Sequence, residues 1–276
     1  MEKLKVNLHI TETCNFHCRH CFAQFDEPDM PLPAWKRIVD NLKASGMVSH
    51  INFAGGEPLL SPSFKELFAY AYAQHFVLSV ISNGYFLLDK KYLPDGFFRK
   101  LSMLGISVDS MDRDTQKEIG RCDAKGNILT LPVLKGIIRK AKTENPAIAI
   151  KLNTVVTACN KDERLTEKLS DLPVDRWKIL KMKPFRTEEF SNYDLQISDD
   201  DFAAFRKNNP PHGEQQVFED SLDRSYVFID PQGNLLDNGG ESYAVVGNLL
   251  EEDFVSVMKR YALNRKLYEA RYKERG

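Results

Sequence analysis

Strand-like and helix-like segments alternate along the first two thirds of this 276-residue chain. The chain opens with period-two alternation, in which Leu4, Val6 and Leu8 share one face of a strand. Helices and strands then follow in turn, so that about six β-α units fit within roughly 180 residues. This α/β pattern predicts a parallel sheet flanked by helices, either a partial (β/α)6 barrel or an open doubly wound sheet. Functional side chains are expected at the carboxyl ends of its strands.

The alternation of strands and helices stops after about residue 185, where the chain becomes polar and rich in Pro and Asn. We expect residues 1–185 to form the barrel and residues 186–276 to form a C-terminal extension of the same domain, a lid over the active site. The extension should contain a helix capped at Ser198, a β-hairpin in YVFIDPQGNLLDN and a charged helix over residues 251–276. Within the barrel, residues 95–105 are predicted as a helix and residues 106–110 as the next strand.

Composition excludes several classes of protein. A net charge of −1 argues against stable nucleic-acid binding, although a local basic pocket is still allowed. The sequence has no apolar run near the roughly 18 residues of a membrane span and no apolar signal segment at its start, so we expect a cytoplasmic protein. Five cysteines in a chain of this length do not make a disulfide framework.

Three of the cysteines lie within eight residues, as Cys14-x3-Cys18-x2-Cys21, just after the first strand. Three thiolates so close together are suited to a [4Fe–4S] cluster whose fourth iron stays open for another ligand. A zinc site in a binding module is the alternative, with His17 or His20 as the fourth ligand. The spacing favours the cluster and leaves the zinc site open.

The cysteine motif resembles the signature of the radical S-adenosylmethionine (SAM) enzymes. In that superfamily the thiolates hold a [4Fe–4S] cluster, and SAM chelates the open iron through its amino and carboxylate groups. The residue before the last cysteine, here His20, lies against the adenine. Gly55-Gly56-Glu57-Pro58 resembles the GGEP loop of the same enzymes. Glycines at a strand end let the backbone approach a ligand, and a glutamate accepts hydrogen bonds from an ammonium group.

Later strings narrow the resemblance to the viperin family. INFAGGEP, ISNG, ISVDS, IGR, KLNTVV and DRWKI occur in the family's order and spacing, and the resemblance covers about residues 4–185 well. It implies a lyase that converts a ribonucleoside triphosphate (CTP in animals) into its 3′-deoxy-3′,4′-didehydro analogue, an antiviral chain terminator. A 5′-deoxyadenosyl radical abstracts H4′, and the 3′ hydroxyl leaves as water. Each turnover needs an external electron donor of flavodoxin or ferredoxin type.

The resemblance also assigns site residues. Cofactor contacts fall to the GGEP loop, to the cysteine motif and to side chains further along the chain: Gly55, Gly56, Glu57, Asn83, Ser107, Arg121, Asn153 and His20. Nucleotide contacts fall to Asn7, His50, Lys151, Arg176, Lys178, Glu219 and Tyr226, with Tyr226 as the catalytic residue. The residues support the cation assignments, because a strand of a parallel barrel should be apolar on both faces unless one face lines a site. Lys151, Arg176 and Lys178 therefore indicate a pocket for a triphosphate.

The chain departs from the family at two places, and the preferred base stays open between CTP, UTP and GTP. His50 replaces a family lysine, so one triphosphate contact should be weaker or pH-dependent. The stretch before Ser225-Tyr226 is shorter, so the position of Glu219 is uncertain. A radical SAM enzyme of the GTP-cyclising or deazapurine-forming type is the alternative within enzymes. No membrane partner is expected, and the protein is expected to be a monomer.

Overall fold

The computed structural model describes residues 3–21, 28–187, 190–211, 215–219 and 223–272. The chain divides into two compact units. The first unit comprises Met1–Thr13, Ala23–Ser79 and Leu222–Gly276, and the second comprises Cys14–Phe22 and Val80–Ser221. The boundary predicted at residue 185 stays a prediction.

The first unit is built around a parallel strand pair. Its elements, in chain order, are β1 (Leu4–His9), α1 (Leu32–Ala44), β2 (Val48–Ala54), α2 (Phe64–Ala73), the first half of β3 (Val77–Ser82), β8 (Val227–Ile229), β9 (Asn234–Asp237), β10 (Ala244–Asn248), α8 (Phe254–Arg260) and α9 (Arg265–Tyr272). Strand β1 lies between β2 and β8 and runs parallel to both. Strands β8, β9 and β10 pair antiparallel, and the Ile229–Leu235 pair confirms the predicted hairpin.

Strand β1 is buried on both faces, although its sequence alternates. Val6 and Leu8 are fully buried on one face, and the polar side chains of Asn7 and His9 are buried on the other. Burial of a polar group is costly unless the group is hydrogen-bonded, so the second face must carry a polar network or a ligand site.

The second unit continues the parallel sheet pattern. Its elements are the second half of β3, α3 (Phe97–Lys100), β4 (Leu101–Ser107), α4 (Arg113–Ile119), α5 (Leu131–Glu144), β5 (Ala149–Val156), α6 (Leu165–Leu169), β6 (Arg176–Lys181), α7 (Asp199–Asn208) and β7 (Gln215–Glu219). Strands β4, β5, β6 and β7 lie side by side and parallel. A capping box at Ser198 starts α7 and confirms the predicted cap.

Two of the predicted helices were wrong in extent. Of residues 95–105, only Phe97–Lys100 is α-helical, and β4 begins directly at Leu101. The stretch from Leu101 to Ile106 is largely apolar because the strand is buried, and such a run does not distinguish a helix from a strand. The charged C-terminal helix is two helices, α8 and α9, separated at Tyr261, whose backbone is extended. Among the described residues, no helix has both the length and the apolar character needed to cross a membrane.

Candidate active site

The cysteine loop starts where β1 ends and belongs to the second unit from Cys14 onward. Cys14, Cys18 and Cys21 carry thiol groups and are half-buried. A turn links two of them, since the backbone N–H of Cys21 donates to the carbonyl of Cys18 over 3.0 Å. The loop therefore presents three sulfurs within a short, partly accessible segment.

The end of α4 anchors this loop by backbone hydrogen bonds. The N–H of His17 donates to the carbonyl of Gly120 over 3.1 Å, and the N–H of Arg19 donates to that of Ile119 over 2.9 Å. Gly120 has φ +82°, and a Cβ there would lie far inside van der Waals contact with the His17 carbonyl. The cysteine loop thus packs directly on the backbone of Gly120, where a side chain would not fit and the positive φ favours glycine.

A buried arginine reaches the middle cysteine. Arg121 Nη1 lies 3.7 Å from Cys18 Sγ, and Nη2 donates to the Ser107 carbonyl over 2.9 Å. The guanidinium carbon also lies 5.7 Å from the centre of the Phe16 ring. Burial raises the pKa of the Cys18 thiol to about 12, and the Arg121 charge acts in the opposite direction. A cation beside Cys18 favours the thiolate that an iron or zinc ion needs as a ligand.

A buried carboxylate pairs with this arginine. Asp109 Oδ2 lies 3.1 Å from Arg121 Nη1 and 3.6 Å from His20 Nε2. All three side chains are buried, and burial lowers the pKa of His20. Sequence reasoning placed Arg121 and His20 near the cofactor but gave Asp109 no role. The ISVDS string contained Asp109, but nothing in that string indicated its contact with Arg121.

The remaining predicted cofactor residues of the second unit lie within its strands or directly after them. Asn83 Nδ2 donates to Asn15 Oδ1 over 2.8 Å and lies 3.8 Å from Cys14 Sγ. Ser107 and Asn153 are register partners on β4 and β5, and both are half-buried. Asn83 is therefore next to the cysteine loop, and Ser107 touches Arg121 through its carbonyl.

The predicted phosphate cations lie along one face of β5 and β6. Lys151 and Arg176 are register partners, and Asn153 pairs with Lys178 in the same way. Lys151 is half-buried while Ile150 and Leu152 on the opposite face are buried. Lys178 and Glu219 are both buried, and their Nζ and Oε2 atoms lie 2.7 Å apart. The structure therefore brings the cations together and adds one carboxylate to them.

The cysteine donor set fits an iron–sulfur cluster, because that cluster does not need its ligands to meet at one point. Zinc needs four ligands converging on one ion. Among the described residues, no three His, Cys, Asp or Glu side chains converge closely enough to hold a single metal ion. In a cubane cluster each thiolate binds a different iron, so the three sulfurs need not meet at one point. His20, one possible fourth zinc ligand, is instead buried beside Asp109.

In the first unit, the GGEP loop packs against the backbone that precedes Cys14. The N–H of Gly56 donates to the Thr11 carbonyl over 2.7 Å, and the N–H of Glu57 donates to the Thr13 carbonyl over 2.8 Å. A Cβ at Gly55 or Gly56 would collide with this segment. The fully buried Glu57 carboxylate accepts the Leu59 N–H over 3.2 Å. Both glycines thus have a steric reason besides any ligand contact.

A chain of hydrogen bonds crosses the polar face of β1, β2 and β3. Asn7 Nδ2 donates to the Val227 carbonyl, and Asn7 Oδ1 accepts from Asn52 Nδ2. Asn52 Oδ1 accepts from Ser79 Oγ over 2.6 Å, and Ser79 Oγ lies 2.9 Å from His50 Nε2. Because Ser79 donates its one hydrogen to Asn52, the His50 Nε2–H must be the donor to Ser79. Asn52 and Ser79 were not predicted, since each is an ordinary polar residue in its own strand.

Burial keeps His50 neutral. Burial is the main cause that lowers the pKa of His50 to about 3, and the nearby charge of Lys5 lowers it as well. His50 can therefore offer hydrogen bonds to a nucleotide, but in this setting it does not replace the positive charge of the lysine that the family carries. This finding sharpens the expectation of a weaker phosphate contact at this position.

The predicted catalytic tyrosine is held by the last helix. Arg271 Nη1 donates to Tyr226 Oη over 3.0 Å, and the guanidinium carbon lies 4.7 Å from the centre of the Tyr226 ring. The Tyr226 carbonyl accepts from Asn238 Nδ2 and from the Tyr261 hydroxyl. Arg271 was missed because it lies among many charged residues that the sequence reads as a solvated helix face.

Replacing Gly120 with alanine should displace the cysteine loop. The new Cβ meets the His17 carbonyl and the left-handed backbone is strained as well, so Gly120→Ala should cost about 2 kcal/mol or more and lower the iron bound after reconstitution. Gly126→Ala is the matched control, because Gly126 also has positive φ (+75°) but its Cβ meets only the Lys117 side chain. Equal iron content in the two variants would contradict this account of the loop.

The neutral histidines of the first unit predict acid sensitivity. Burial also lowers the pKa of His9 from 6.5 to about 3. Unfolded histidines take up a proton near pH 6.5, so stability is full above that pH and falls as the pH drops toward 3, by up to about 1.4 kcal/mol per pH unit for each histidine. Urea unfolding between pH 7 and pH 4 should show a shallower loss for His50→Gln. The control His75→Asn, at an exposed position, should keep the wild-type slope, and an unchanged slope in His50→Gln would refute the assignment.

Comparison with known proteins places these features in a family. Residues 8–131 match the model of the radical SAM superfamily. A Selenomonas ruminantium protein named S-adenosylmethionine-dependent nucleotide dehydratase is 46% identical over 269 residues, covering 97% of this chain and 98% of that protein. S-adenosylmethionine-dependent nucleotide dehydratase RSAD2 of Oncorhynchus mykiss is 30% identical, covering 84% of this chain and 68% of that protein.

Solved structures show the same fold. SuiB of Streptococcus suis bound to S-adenosylmethionine superposes with a TM-score of 0.68 at 14% identity, covering 98% of this chain and 67% of that chain. Native anSMEcpe with bound AdoMet and a peptide gives a TM-score of 0.65 at 14% identity, covering 98% of this chain and 84% of that chain. These similarities confirm the predicted radical SAM fold class. The chain belongs to the S-adenosylmethionine-dependent nucleotide dehydratases, the viperin-like branch of the radical SAM superfamily.

Proposed function

We propose that this chain removes water from a ribonucleoside triphosphate and yields the 3′-deoxy-3′,4′-didehydro nucleotide. The observation that carries the proposal is the row of cations on β5 and β6, where Lys151, Arg176 and Lys178 share one face of the sheet. Lys178 is buried and the other two cations are half-buried, so charge on this face interacts strongly with an incoming anion, and a triphosphate supplies several negative charges. The names of the relatives supply the reaction class, a nucleotide dehydration.

The cysteine loop has the donors for the cofactor that this reaction needs. Cys14, Cys18 and Cys21 would bind three irons of a [4Fe–4S] cluster, which would leave the fourth iron for SAM. When bound, the reduced cluster and SAM together supply a 5′-deoxyadenosyl radical. No described cysteine group provides a second cluster, since Cys122 and Cys159 are isolated along the chain.

Each side chain predicted to contact SAM can bind the SAM group assigned to it. Arg121 would bind the SAM carboxylate with its guanidinium, and Ser107 would add a hydroxyl. Glu57 would accept a hydrogen bond from the SAM amino group. Gly55 and Gly56 have no Cβ, so the backbone beside Glu57 would come close to SAM. The ring of His20 would lie against adenine, and the amides of Asn83 and Asn153 would hydrogen-bond the adenosine.

The nucleotide contacts divide between charge and hydrogen bonding. Lys151, Arg176 and Lys178 would bind the triphosphate, while Asn7 and the neutral His50 would offer hydrogen bonds only. Glu219 now neutralises Lys178. We propose that Glu219 turns to the nucleobase when the triphosphate takes over Lys178, so that Lys178 keeps an anionic partner and the Glu219 carboxylate accepts N–H groups of the base.

We propose that Tyr226 acts as an acid at the sugar. Overall, loss of a hydrogen atom from C4′ and of the 3′ hydroxyl as water requires one electron and one proton besides the electron that cleaves SAM. We propose that the Tyr226 hydroxyl delivers that proton to the departing hydroxyl, with Arg271 orienting the phenol. The electrons would come from an external flavodoxin or ferredoxin, and the chain would act as a cytoplasmic monomer.

The test is an anaerobic assay with a panel of nucleotides. Protein reconstituted with iron and sulfide receives SAM and dithionite, and 5′-deoxyadenosine is measured with CTP, UTP, GTP, ATP or no addition. One triphosphate should stimulate its formation and yield a product lighter by one water, which identifies the base. A cyclised or rearranged product would favour a GTP-cyclising or deazapurine type of enzyme. Cleavage unaffected by any nucleotide would refute the substrate class.

A variant arm of the same assay tests the cation row. Lys151→Ala should weaken triphosphate binding about tenfold or more, because one charge-assisted contact is lost, while SAM cleavage without nucleotide stays near wild type. Lys140→Ala is the control, since Lys140 forms an ion pair with Glu144 on α5 and should change neither quantity. Equal loss of nucleotide-dependent and nucleotide-independent cleavage in Lys151→Ala would show that Lys151 has another role.

A further inference from the structure

Asp109 is a buried carboxylate for which neither the motifs nor the relatives provide a role. Only 1% of its surface is exposed, and it lies two residues beyond the end of β4. One oxygen, Oδ1, accepts the Val155 N–H of β5 over 2.7 Å. The other, Oδ2, faces Arg121 Nη1 at 3.1 Å. Asp109 thus has one oxygen fixed to the sheet and one directed at the arginine.

The contacts of Arg121 leave part of its guanidinium for a ligand. Within the described part of the chain, two of its five N–H groups donate, one to Cys18 Sγ and one to the Ser107 carbonyl, and Asp109 Oδ2 forms an ion pair with Nη1. A side chain as flexible as arginine keeps one orientation only when several partners define it. The carboxylate is its only charged partner of opposite sign in these contacts.

We propose that Asp109 is the positioning residue that aims Arg121 at the SAM carboxylate. This inference rests on the proposed contact between Arg121 and SAM. The hydrogen bond from the Val155 N–H to Oδ1 fixes the carboxylate relative to β5. Oδ2 therefore has a defined position, and its ion pair holds the Arg121 guanidinium in one orientation. Asp109 also compensates the buried charge of Arg121, whose desolvation would otherwise disfavour its place beside Cys18.

Replacing Asp109 with asparagine should misplace Arg121 while keeping the shape of the side chain. If the amide oxygen keeps the Val155 N–H, the amide nitrogen faces Arg121 Nη1 and two donors oppose each other. The guanidinium then moves away, and the SAM carboxylate loses its partner. A purely structural role of Asp109 would instead weaken binding of any SAM analogue to the same extent.

The experiment compares SAM with decarboxylated SAM by equilibrium dialysis on cluster-loaded, oxidised protein. In Asp109→Asn the preference for SAM over decarboxylated SAM should fall about tenfold, the size of one lost charged hydrogen bond. Arg121→Gln should lose at least as much, and the double variant should lose no more than Arg121→Gln alone, because Asp109 acts through Arg121. Nucleotide is absent, so the outcome does not depend on the substrate proposal.

Asp175→Asn is the matched control, because Asp175 also accepts a β5 backbone N–H, that of Ile150, over 2.7 Å. This variant should keep the wild-type preference for SAM. If Asp109→Asn does not fold, Asp109→Glu takes its place, since it keeps the charge but moves the carboxylate by one methylene, and the same fall is expected. An unchanged preference, an equal loss for both ligands, or additive losses in the double variant would overturn the proposal.

Discussion

Backbone hydrogen bonds hold the chain within each unit on its side of Cys14. Before the cysteine, in the first unit, the carbonyls of Thr11 and Thr13 accept the N–H groups of Gly56 and Glu57 in the GGEP loop. After it, the carbonyls at the end of α4 receive the N–H groups of His17 and Arg19. These bonds are backbone to backbone, and glycines at positions 55, 56 and 120 make room for them. The bonds to the end of α4 fix the segment of the loop between Cys14 and Cys21.

Buried charge is compensated in pairs on the second unit. Arg121 forms an ion pair with Asp109, and Lys178 forms one with Glu219. Such pairs do not by themselves indicate stability, because desolvation offsets much of the attraction. They are suited to sites that receive an anion, since an incoming carboxylate or phosphate finds a cation already in place. On the polar face of β1, β2 and β3 in the first unit, neutral groups instead satisfy one another, namely His50, Ser79, Asn52 and Asn7.

The sequence predicted those parts of the fold that depend on local pattern. The β-α alternation, the hairpin near Pro231 and the cap at Ser198 were all readable from neighbouring residues. Residues 101–105 were assigned to a helix because a strand buried in a parallel sheet loses its alternation. Motif spacing also predicted the cysteine loop. Pairing across the fold was not readable: Arg271 contacts Tyr226 from 45 residues away, and no local pattern indicates such a partner.

The central claim is that the anchored cysteine loop holds a [4Fe–4S] cluster with one iron open to SAM. Mössbauer spectroscopy of protein reconstituted with ⁵⁷Fe, recorded with and without SAM, tests it most directly. The account predicts a cubane spectrum in which SAM changes the parameters of one iron and leaves the other three nearly unchanged. A spectrum that SAM does not alter, or a protein that takes up a single zinc ion in place of iron, would contradict it.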